Sequence, residues 1–294
     1  MPSSKLKTKP KHRFSFEAIG TTWSIDIYGQ FNDQLKHTLI NRIEQFDHNY
    51  SRFRNDSLVS RMSEKAGTYD LPEDADAMVC LYEKLYQITD GQVTPLVGDL
   101  LADAGYDKNY SFKPRSLHTP ERWEDALEYK TGKLKLLKPV LLDFGAVGKG
   151  YLVDIVAAIL EKHGVESFCI DASGDLLCKN LERPEIIGLE HPDAVGSVIG
   201  TIELQNGALC GSAVNRRAWQ KYHHIMNPKT LHSQEGIKAV WVQATTTTVA
   251  DGLSTALFFC DPTKLSEHFT FDYALVRSDN SVEYSPNFAG SFFD

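Results

Sequence analysis

Residues 143–150 read DFGAVGKG, a glycine-rich stretch between two apolar segments. The segment before it, 140–144, predicts a β-strand. The segment after it predicts a helix, because apolar residues recur at helical spacing: Leu152, Ile155, Val156, Ile159 and Leu160. Gly164 is expected to end this helix. A glycine-rich turn that opens a helix presents backbone amides and the positive helix end to an anion. The stretch therefore predicts an anion site, to which Lys149 adds a positive charge and Asp143 a carboxylate.

Two familiar phosphate motifs do not fit this turn. A Walker A loop requires GxxxxGK followed by Ser or Thr, whereas Gly145 lies only three residues before Gly148, and Gly150 follows Lys149. A kinase-like DFG triplet is present, but no HRD loop accompanies it. On these residues alone, a tight turn with a solvated lysine remains the alternative.

The wider hydrophobic pattern predicts an α+β fold with mixed or antiparallel sheets and packed helices. Strands and helices do not alternate steadily as β-α-β, which disfavours a doubly wound sheet. Predicted helices are one that Asp33 caps, one over 74–88, one that starts at Thr119-Pro120-Glu121, and one over 248–260. Predicted strands are 16–28 with a break near Gly20, a hairpin over 127–137, 165–171, 185–190, 197–204, 238–245, and a last hairpin that turns at Asp279-Asn280.

Composition excludes some classes of protein. The chain has 294 residues and a net charge of −8 without a long basic run, so nucleic-acid binding is disfavoured. Residues 1–14 are expected to form a disordered lead before a single domain over 15–294. No apolar stretch reaches the length of a membrane span, and no signal-peptide core follows the N-terminus, so a cytoplasmic location is expected unless an export signal has been removed.

The five cysteines are expected to be reduced thiols. They are odd in number and contain no CxxC pair, which disfavours both a disulfide framework and a zinc site.

A second stretch, ADGLSTA at 250–256, predicts a metal site on a helix. Helical spacing places Asp251, Ser254 and Thr255 on one face. Magnesium prefers oxygen ligands of this kind and leaves room for phosphate. The alternative is an aspartate in the first helical turn that backbone amides satisfy.

Two further stretches carry candidate residues. Adjacent His223 and His224 point in different directions, so a shared metal is disfavoured, but one of them is a candidate general base. Phe53 lies between Arg52 and Arg54 and is a candidate for stacking on a planar ring. Structural histidines and a solvated turn are the alternatives.

Taken in order, these stretches resemble the ApbE family, the FAD:protein FMN transferases. The likeness covers about residues 16–290. The segments that carry it are Gly20-Thr21-Thr22, Ser51 to Ser57, Asp143 to Asp154 (DFGAVGKGYLVD), Ala172 to Asp175, His223 to Pro228 (HHIMNP) and Ala250 to Ala256 (ADGLSTA). The DFGAVGKGYLVD and ADGLSTA segments are the most specific.

The resemblance implies an ApbE-like, T-fold-related architecture and a function. Members use Mg²⁺ to split the pyrophosphate of FAD and attach FMN to a Ser or Thr of a separate acceptor protein. The implied metal ligands are Asp251 and Thr255 through side chains and Ala146 and Ser254 through backbone oxygens; the implied base is His224. The implied FAD-binding residues are Ile19, Gly20, Phe53, Val93, Thr94, Pro95, Asp143, Lys149 and Ile225.

The sequence departs from the family pattern at several positions. Ile19 replaces a methionine, Val93 to Asp99 replaces F-D-P-T-x-G-P, and Cys210 to Ala213 replaces A-T-S-G. These differences fall on the expected flavin and adenosine walls, not on the metal motif. Two other functions therefore stay open: hydrolysis of FAD to FMN and AMP, and flavin binding without catalysis.

Overall fold

The centre of the molecule is an eight-stranded sheet in which every neighbouring pair is antiparallel. The computed structural model describes residues 12–293. Its strands are β1 (His12–Ala18), β2 (Thr21–Ile27), β3 (Gly67–Asp70), β4 (Leu127–Lys130), β5 (Lys133–Leu136), β6 (Phe168–Asp171), β7 (Asp175–Lys179), β8 (Glu185–Glu190), β9 (Val198–Leu204), β10 (Gly207–Ala213), β11 (Ala218–Trp219), β12 (Tyr222–His223), β13 (Met226–Asn227), β14 (His232–Ser233), β15 (Ile237–Ala244), β16 (Asp272–Arg277), β17 (Val282–Tyr284) and β18 (Gly290–Phe292). The order in the central sheet is β1-β2-β6-β7-β10-β15-β16-β17.

Helices cover one face of this sheet. They are α1 (Asp33–Tyr50), α2 (Leu58–Glu64), α3 (Asp76–Ile88), α4 (Gly98–Asp103), α5 (Trp123–Ala126), α6 (Gly148–Lys162), α7 (Thr247–Ala256) and α8 (Pro262–Ser266). α7 lies against β10 and β15, α6 packs beside α7, and α1 and α3 pack on these two helices. None of the helices within 12–293 combines the length and apolarity needed to cross a bilayer.

A smaller sheet, ordered β18-β9-β8, covers the opposite face. Side chains of successive strand residues point to opposite faces, so the central strands supply two cores. Ala208 and Val240 join the core under the helices, whereas their neighbours Leu209 and Trp241 join the core under the small sheet. The remaining three-stranded sheet is ordered β3-β5-β4.

The α+β prediction with antiparallel sheets is confirmed, as are most of the predicted helices and hairpins. Three local predictions are wrong. Residues 140–144 pair with no strand of the described chain; instead the Asp143 amide donates to the carbonyl of Pro95 at 2.7 Å. No helix begins at Thr119-Pro120-Glu121, and α5 starts at Trp123. The helix that follows the first hairpin is capped by Asn32, not Asp33, since the Asn32 side chain accepts from the Leu35 amide.

The predicted N-terminal lead needs a shorter boundary. β1 begins at His12 and pairs with β2 from that residue on, so 12–14 belong to the sheet. Residues 1–11 and 294 lie outside the described residues.

The expectation of reduced thiols is wrong for two cysteines. Cys169 and Cys178 lie directly opposite each other on β6 and β7, and a disulfide joins them. Cys80, Cys210 and Cys260 are free thiols.

The contact between α6 and α7 depends on Gly150 and Asp154. A Cβ atom on Gly150 would lie 2.2 Å from the Thr247 carbonyl oxygen, so only glycine permits this approach. One turn later, Asp154 caps α7: it accepts from the amides of Thr247 and Thr248 at 3.0 and 2.8 Å and from both hydroxyls. The starts of the two helices are therefore held side by side.

We expect Gly150→Ala to lower the free energy of unfolding by about 2 kcal/mol or more, because the added methyl group overlaps backbone of α7. Gly29→Ala is the matched control, since a Cβ there meets its first neighbour, Val165, at 3.9 Å. Urea unfolding of both variants measures the difference. Equal stability of the two variants would contradict the close approach of α6 and α7.

Candidate active site

A cavity of about 960 Å³ opens where the glycine-rich turn meets α7. Most of the residues predicted for the site line it: Ile19, Gly20, Phe53, Val93, Thr94, Asp143, Ala146, Lys149, His224, Ile225, Asp251 and Thr255. Pro95 and Ser254 do not line it. The Pro95 carbonyl instead holds the turn through the Asp143 amide, and Ser254 lies fully buried behind Asp251.

One end of the cavity holds a buried cluster of two carboxylates and one ammonium group. Lys149 on α6 forms an ion pair with Asp175 on β7, and Asp251 on α7 accepts from the Gly150 amide at 2.8 Å. The side chain of Asp175 is almost entirely buried, and the Lys149 ammonium group is its ion-pair partner. Two buried carboxyl groups face a single lysine, so ionisation of both would leave one negative charge that Lys149 does not balance.

Burial and the neighbouring charges together set the pKa values of Asp251 and Lys149. Burial raises the pKa of Asp251 well above its usual range, Asp175 raises it further, and Lys149 lowers it in part. Burial also works to lower the pKa of Lys149, but Asp175 and Asp251 outweigh it, so the net pKa is raised. A carboxyl group of this kind is stabilised as the anion when a further cation binds beside it.

The residues around Asp251 fit a hard divalent cation. Thr255 lies one helical turn from Asp251, faces the cavity, and its hydroxyl has no hydrogen-bond partner within 12–293. Ser254 is different, since its hydroxyl is 2.8 Å from that of Ser212 and donates to the Asp251 carbonyl at 2.8 Å. Asp251 and Thr255 offer oxygen atoms as metal ligands, as magnesium requires. Residues 12–293 contain no cluster of three or more His, Cys, Asp or Glu side chains that could hold a metal, so Asp251 would be the main acidic ligand.

The glycine-rich turn is fixed by a second buried ion pair. Arg52 binds Asp143 and also donates to the Tyr106 carbonyl at 2.7 Å, while Asp143 accepts from the Gly145 amide at 2.7 Å. Burial works to raise the pKa of Asp143, but the Arg52 guanidinium outweighs it and the net pKa is lowered. The Ala146 amide donates to Tyr82 at 3.1 Å, so the turn is held from both sides.

The other end of the cavity is aromatic. Phe53 stacks on Tyr110 with ring centres 5.0 Å apart and planes 4° apart, and the Arg52 guanidinium lies 4.2 Å from the centre of the Phe53 ring on which it stacks. Tyr106 and Phe112 also line this end. Ile19, at the turn between β1 and β2, has a positive φ of 46°, which is unusual for a β-branched residue and is more often found at functional sites. A planar ligand ring would find apolar surfaces here.

The two adjacent histidines have different surroundings. In His223, Nε2 is 3.0 Å from the Gln234 carbonyl and Nδ1 accepts from the Ile225 amide at 3.3 Å, so both ring nitrogens are occupied. His224 lines the cavity, and its Nδ1 has no partner within 12–293. Burial and, next, the charge of Arg217 lower the pKa of His224 to about 3. His224 is therefore a neutral imidazole with a free nitrogen, which is the form that accepts a proton.

Arg217 was not predicted from the sequence. It lines the cavity, its carbonyl accepts from the His224 amide at 3.1 Å, and its guanidinium forms no hydrogen bond or ion pair within 12–293. Its charge reaches Asp143, Asp251 and His224. An unpaired guanidinium in a cavity that also holds an acidic cluster is suited to phosphate.

Arg52, Asp154, Asp175 and Ser212 were also missed as contributors to the site. Asp154 and Asp175 belong to segments that the family resemblance includes, which was the available signal. Arg52 could be noticed only as a neighbour of Phe53, and Ser212 carries no local signal because its partner, Ser254, is distant in sequence.

Known proteins provide an independent comparison. The model of the ApbE family matches residues 19–273. The FAD:protein FMN transferase of Haemophilus influenzae is 28% identical over 260 residues, which cover 78% of this chain and 75% of that protein. The FAD:protein FMN transferase of Vibrio cholerae is 26% identical over 263 residues, covering 81% of this chain and 78% of the relative.

Solved structures agree on the fold. The ApbE protein of Thermotoga maritima superposes with a TM-score of 0.81 at 23% identity and covers 94% of this chain and 97% of its own. The flavin transferase ApbE of Vibrio cholerae gives a TM-score of 0.77 at 21% identity, with the same shares covered. At these identities the likeness shows the architecture.

We expect His224 to remain neutral down to acidic pH. Its folded pKa is lowered to about 3, whereas an unfolded histidine titrates near 6.5. Stability from the neutral ring is therefore complete above about pH 6.5 and is lost as the pH falls toward about 3. Nuclear magnetic resonance of the His224 ring, assigned by comparison with His224→Gln, should show no titration between pH 8 and 5. A midpoint within that interval would disprove the assignment.

Proposed function

Because this chain belongs to the ApbE family, we propose that it is an FAD:protein FMN transferase in which Asp251 and Thr255 hold Mg²⁺ against the pyrophosphate of FAD. The observation that carries the proposal is one cavity that joins a buried acidic cluster, the glycine-rich turn with Lys149, a neutral histidine and an aromatic end. The curated relatives named above carry the same activity in their names.

The reaction exchanges one phosphorus–oxygen bond for another. The hydroxyl oxygen of an acceptor Ser or Thr attacks the FMN phosphorus, the phosphoanhydride bond breaks, and AMP leaves with the bridging oxygen. The hydroxyl proton passes to a base. Negative charge accumulates on both phosphates, so the site must stabilise it.

The magnesium ion, when bound, neutralises charge on the phosphates and orients them. Asp251 would be the acidic ligand of this cation. The Gly150 amide holds its side chain, and the nearby Asp175 carboxylate also favours a bound cation. Ala146 and Ser254 are the positions at which backbone oxygens would complete the ligand set. Lys149 and Arg217 line the same cavity and would hold the phosphates. The amides of Gly145, Ala146 and Gly150 already donate within the chain, so the expectation that the turn offers free amides to an anion is wrong for these three.

His224 supplies the base. Its buried Nδ1 has no hydrogen-bond partner within 12–293 and the ring is neutral, and both His224 and Ile225 line the cavity. The low pKa keeps the ring ready to accept a proton across the neutral range, and the developing negative charge on the phosphates raises its basicity as the reaction proceeds.

The aromatic end is assigned to the isoalloxazine ring. Phe53 and Ile19 line it, with Val93 and Thr94 along the wall. Tyr110 now covers Phe53, so a flavin ring that stacks on Phe53 would take the place of Tyr110 or extend the same stack.

We expect Asp251→Asn to abolish Mg²⁺-dependent flavin transfer, because the amide removes the anionic ligand. The amide oxygen can still accept from Gly150, so the free energy of unfolding should change by less than about 2 kcal/mol. The assay incubates the protein with FAD, Mg²⁺ and an acceptor domain that the Vibrio cholerae transferase labels in parallel, and covalent flavin is read by in-gel fluorescence.

Asp33→Asn is the control for a lost surface carboxylate, and it should transfer normally. Full activity of Asp251→Asn would remove Asp251 from the metal site. If the unaltered chain labels nothing while the Vibrio cholerae enzyme labels the acceptor, the proposed function itself fails. Steady release of FMN without acceptor would then indicate hydrolysis.

We also expect Arg217→Ala to weaken FAD binding by about ten- to a hundredfold while riboflavin binding stays unchanged, because the guanidinium would contact only the phosphates. Fluorescence titration measures the Kd for FAD and for riboflavin. The control is Arg122→Ala, because the Arg122 side chain lies in solvent. If affinity for the two ligands falls equally, Arg217 supports the pocket instead of binding phosphate.

A further inference from the structure

The small sheet has an unpaired edge beside the active site. Its order is β18-β9-β8, so residues 186–190 of β8 pair with β9 on one side and with no strand of the described chain on the other. On the unpaired side, alternate residues of an edge strand direct their N–H and C=O groups outward. Such an edge is a template for an additional strand.

The free edge of β8 faces the cavity. Ile187 and Gly188 both line the cavity, as does Glu190. Successive side chains of a strand point to opposite faces, so a cavity that contacts two successive residues meets the strand at its edge. No residue of β9, which covers the paired edge, lines the cavity. The cavity therefore borders the unpaired side.

This edge leads toward the proposed base. Glu190, at the end of β8, forms an ion pair with Arg216, and the Pro192 carbonyl accepts from the Asn215 side chain at 2.7 Å. Residues 214–217 form a single 3-10 turn, and the Arg217 carbonyl accepts from the His224 amide. A chain that lies along β8 is thereby directed to the wall that carries His224.

The surface of β8 that faces solvent is apolar. Ile186 is 56% exposed and Val198 is 44% exposed, and Val198 lies over Gly188, where a Cβ atom would approach it to 2.7 Å. Exposed apolar side chains next to a free strand edge mark a protein-binding surface.

We propose that the free edge of β8 is the acceptor-docking site, where the extended segment that carries the acceptor Ser or Thr adds as a further strand. The inference rests on the proposed function, since only a transferase to protein needs a polypeptide at this cavity. Backbone hydrogen bonds suit an occupant whose only fixed feature is an extended chain with a hydroxyl residue, whereas a nucleotide does not use a strand edge. The strand addition places the hydroxyl at the cavity mouth and leaves the metal and flavin ends to FAD.

The test is Ile186→Lys, because a lysine on an edge strand opposes further pairing while the side chain of Ile186 already lies in solvent. Val195→Lys is the matched control: it has the same change of charge in the same hairpin, but Val195 lies in the turn and is 88% exposed. The assay measures KM and kcat for the labelled acceptor domain and, separately, the Kd for FAD.

We expect Ile186→Lys to raise the KM for the acceptor roughly five- to tenfold, as the loss of one or two backbone hydrogen bonds implies, with the Kd for FAD unchanged. Val195→Lys should stay within twofold of the unaltered chain. Hydrogen exchange at residues 185–190 of the FAD-loaded protein should slow when the acceptor domain is added.

Two results would overturn the proposal. One is an unchanged KM in Ile186→Lys together with unchanged exchange at β8. The other is an equal loss of FAD affinity, which would assign the edge to the nucleotide. Both results are compared with an unaltered chain that transfers flavin in the same assay. If the unaltered chain itself transfers no flavin, the proposed function fails and this inference fails with it.

Discussion

The site depends on how closely α6 approaches α7. Gly150 lies against the Thr247 carbonyl without room for a side-chain carbon, and Asp154 caps the first amides of α7. These two contacts align the start of one helix with the first turns of the other. Lys149 and Asp251 come from segments about a hundred residues apart, and this alignment brings them to the same end of the cavity. The placement of Lys149 and Asp251 therefore depends on a steric condition and a cap, neither of which touches a substrate.

The charges in the cavity suit the metal–pyrophosphate pair of the proposed function. At one end, Asp175 and Asp251 share a single ammonium group and leave room for a divalent cation. Near the turn, the Arg217 guanidinium forms no hydrogen bond or ion pair within 12–293, and its charge acts on both Asp143 and Asp251. A cation alone or an anion alone would satisfy only one end, whereas a cation bound to phosphate satisfies both. The DFGAVGKG and ADGLSTA segments therefore each supply only part of the charge that a cation–phosphate pair needs, which is why each segment alone also fits a purely structural role.

The sequence predicted the fold class and the segments of the site, but it could not predict their contacts. Amphipathic helices and hairpins have local periodicity, so α3, α6 and α7 and the β4–β5 hairpin were found. β10 was missed because GALCGSA contains small residues without strand propensity; its position is set by β7 and β15 on either side. Residues 140–144 are apolar because they are buried next to Pro95, not because they pair in a sheet. The difference between His223 and His224 arises from Gln234 and Arg217, which adjacent residues in sequence cannot reveal.

The architecture separates the chemistry from the choice of acceptor. Lys149 and the proposed metal ligands Asp251 and Thr255 stand on α6 and α7, which pack on the central sheet, whereas His224 and Arg217 lie in the segment between β10 and β15. β8 belongs to a different core, between the central sheet and the small sheet, and borders the active-site cavity along one edge. Substitutions on β8 can therefore change which polypeptide docks without moving Asp251 or Lys149. The departures from the family pattern at 93–99 and 210–213 fall on other walls of the cavity, where Val93, Thr94 and Ser212 lie, whereas the ADGLSTA segment of α7 is retained. A transferase that shares one flavin donor but must recognise different acceptors requires this division, because the rigid part can stay constant while the edge varies.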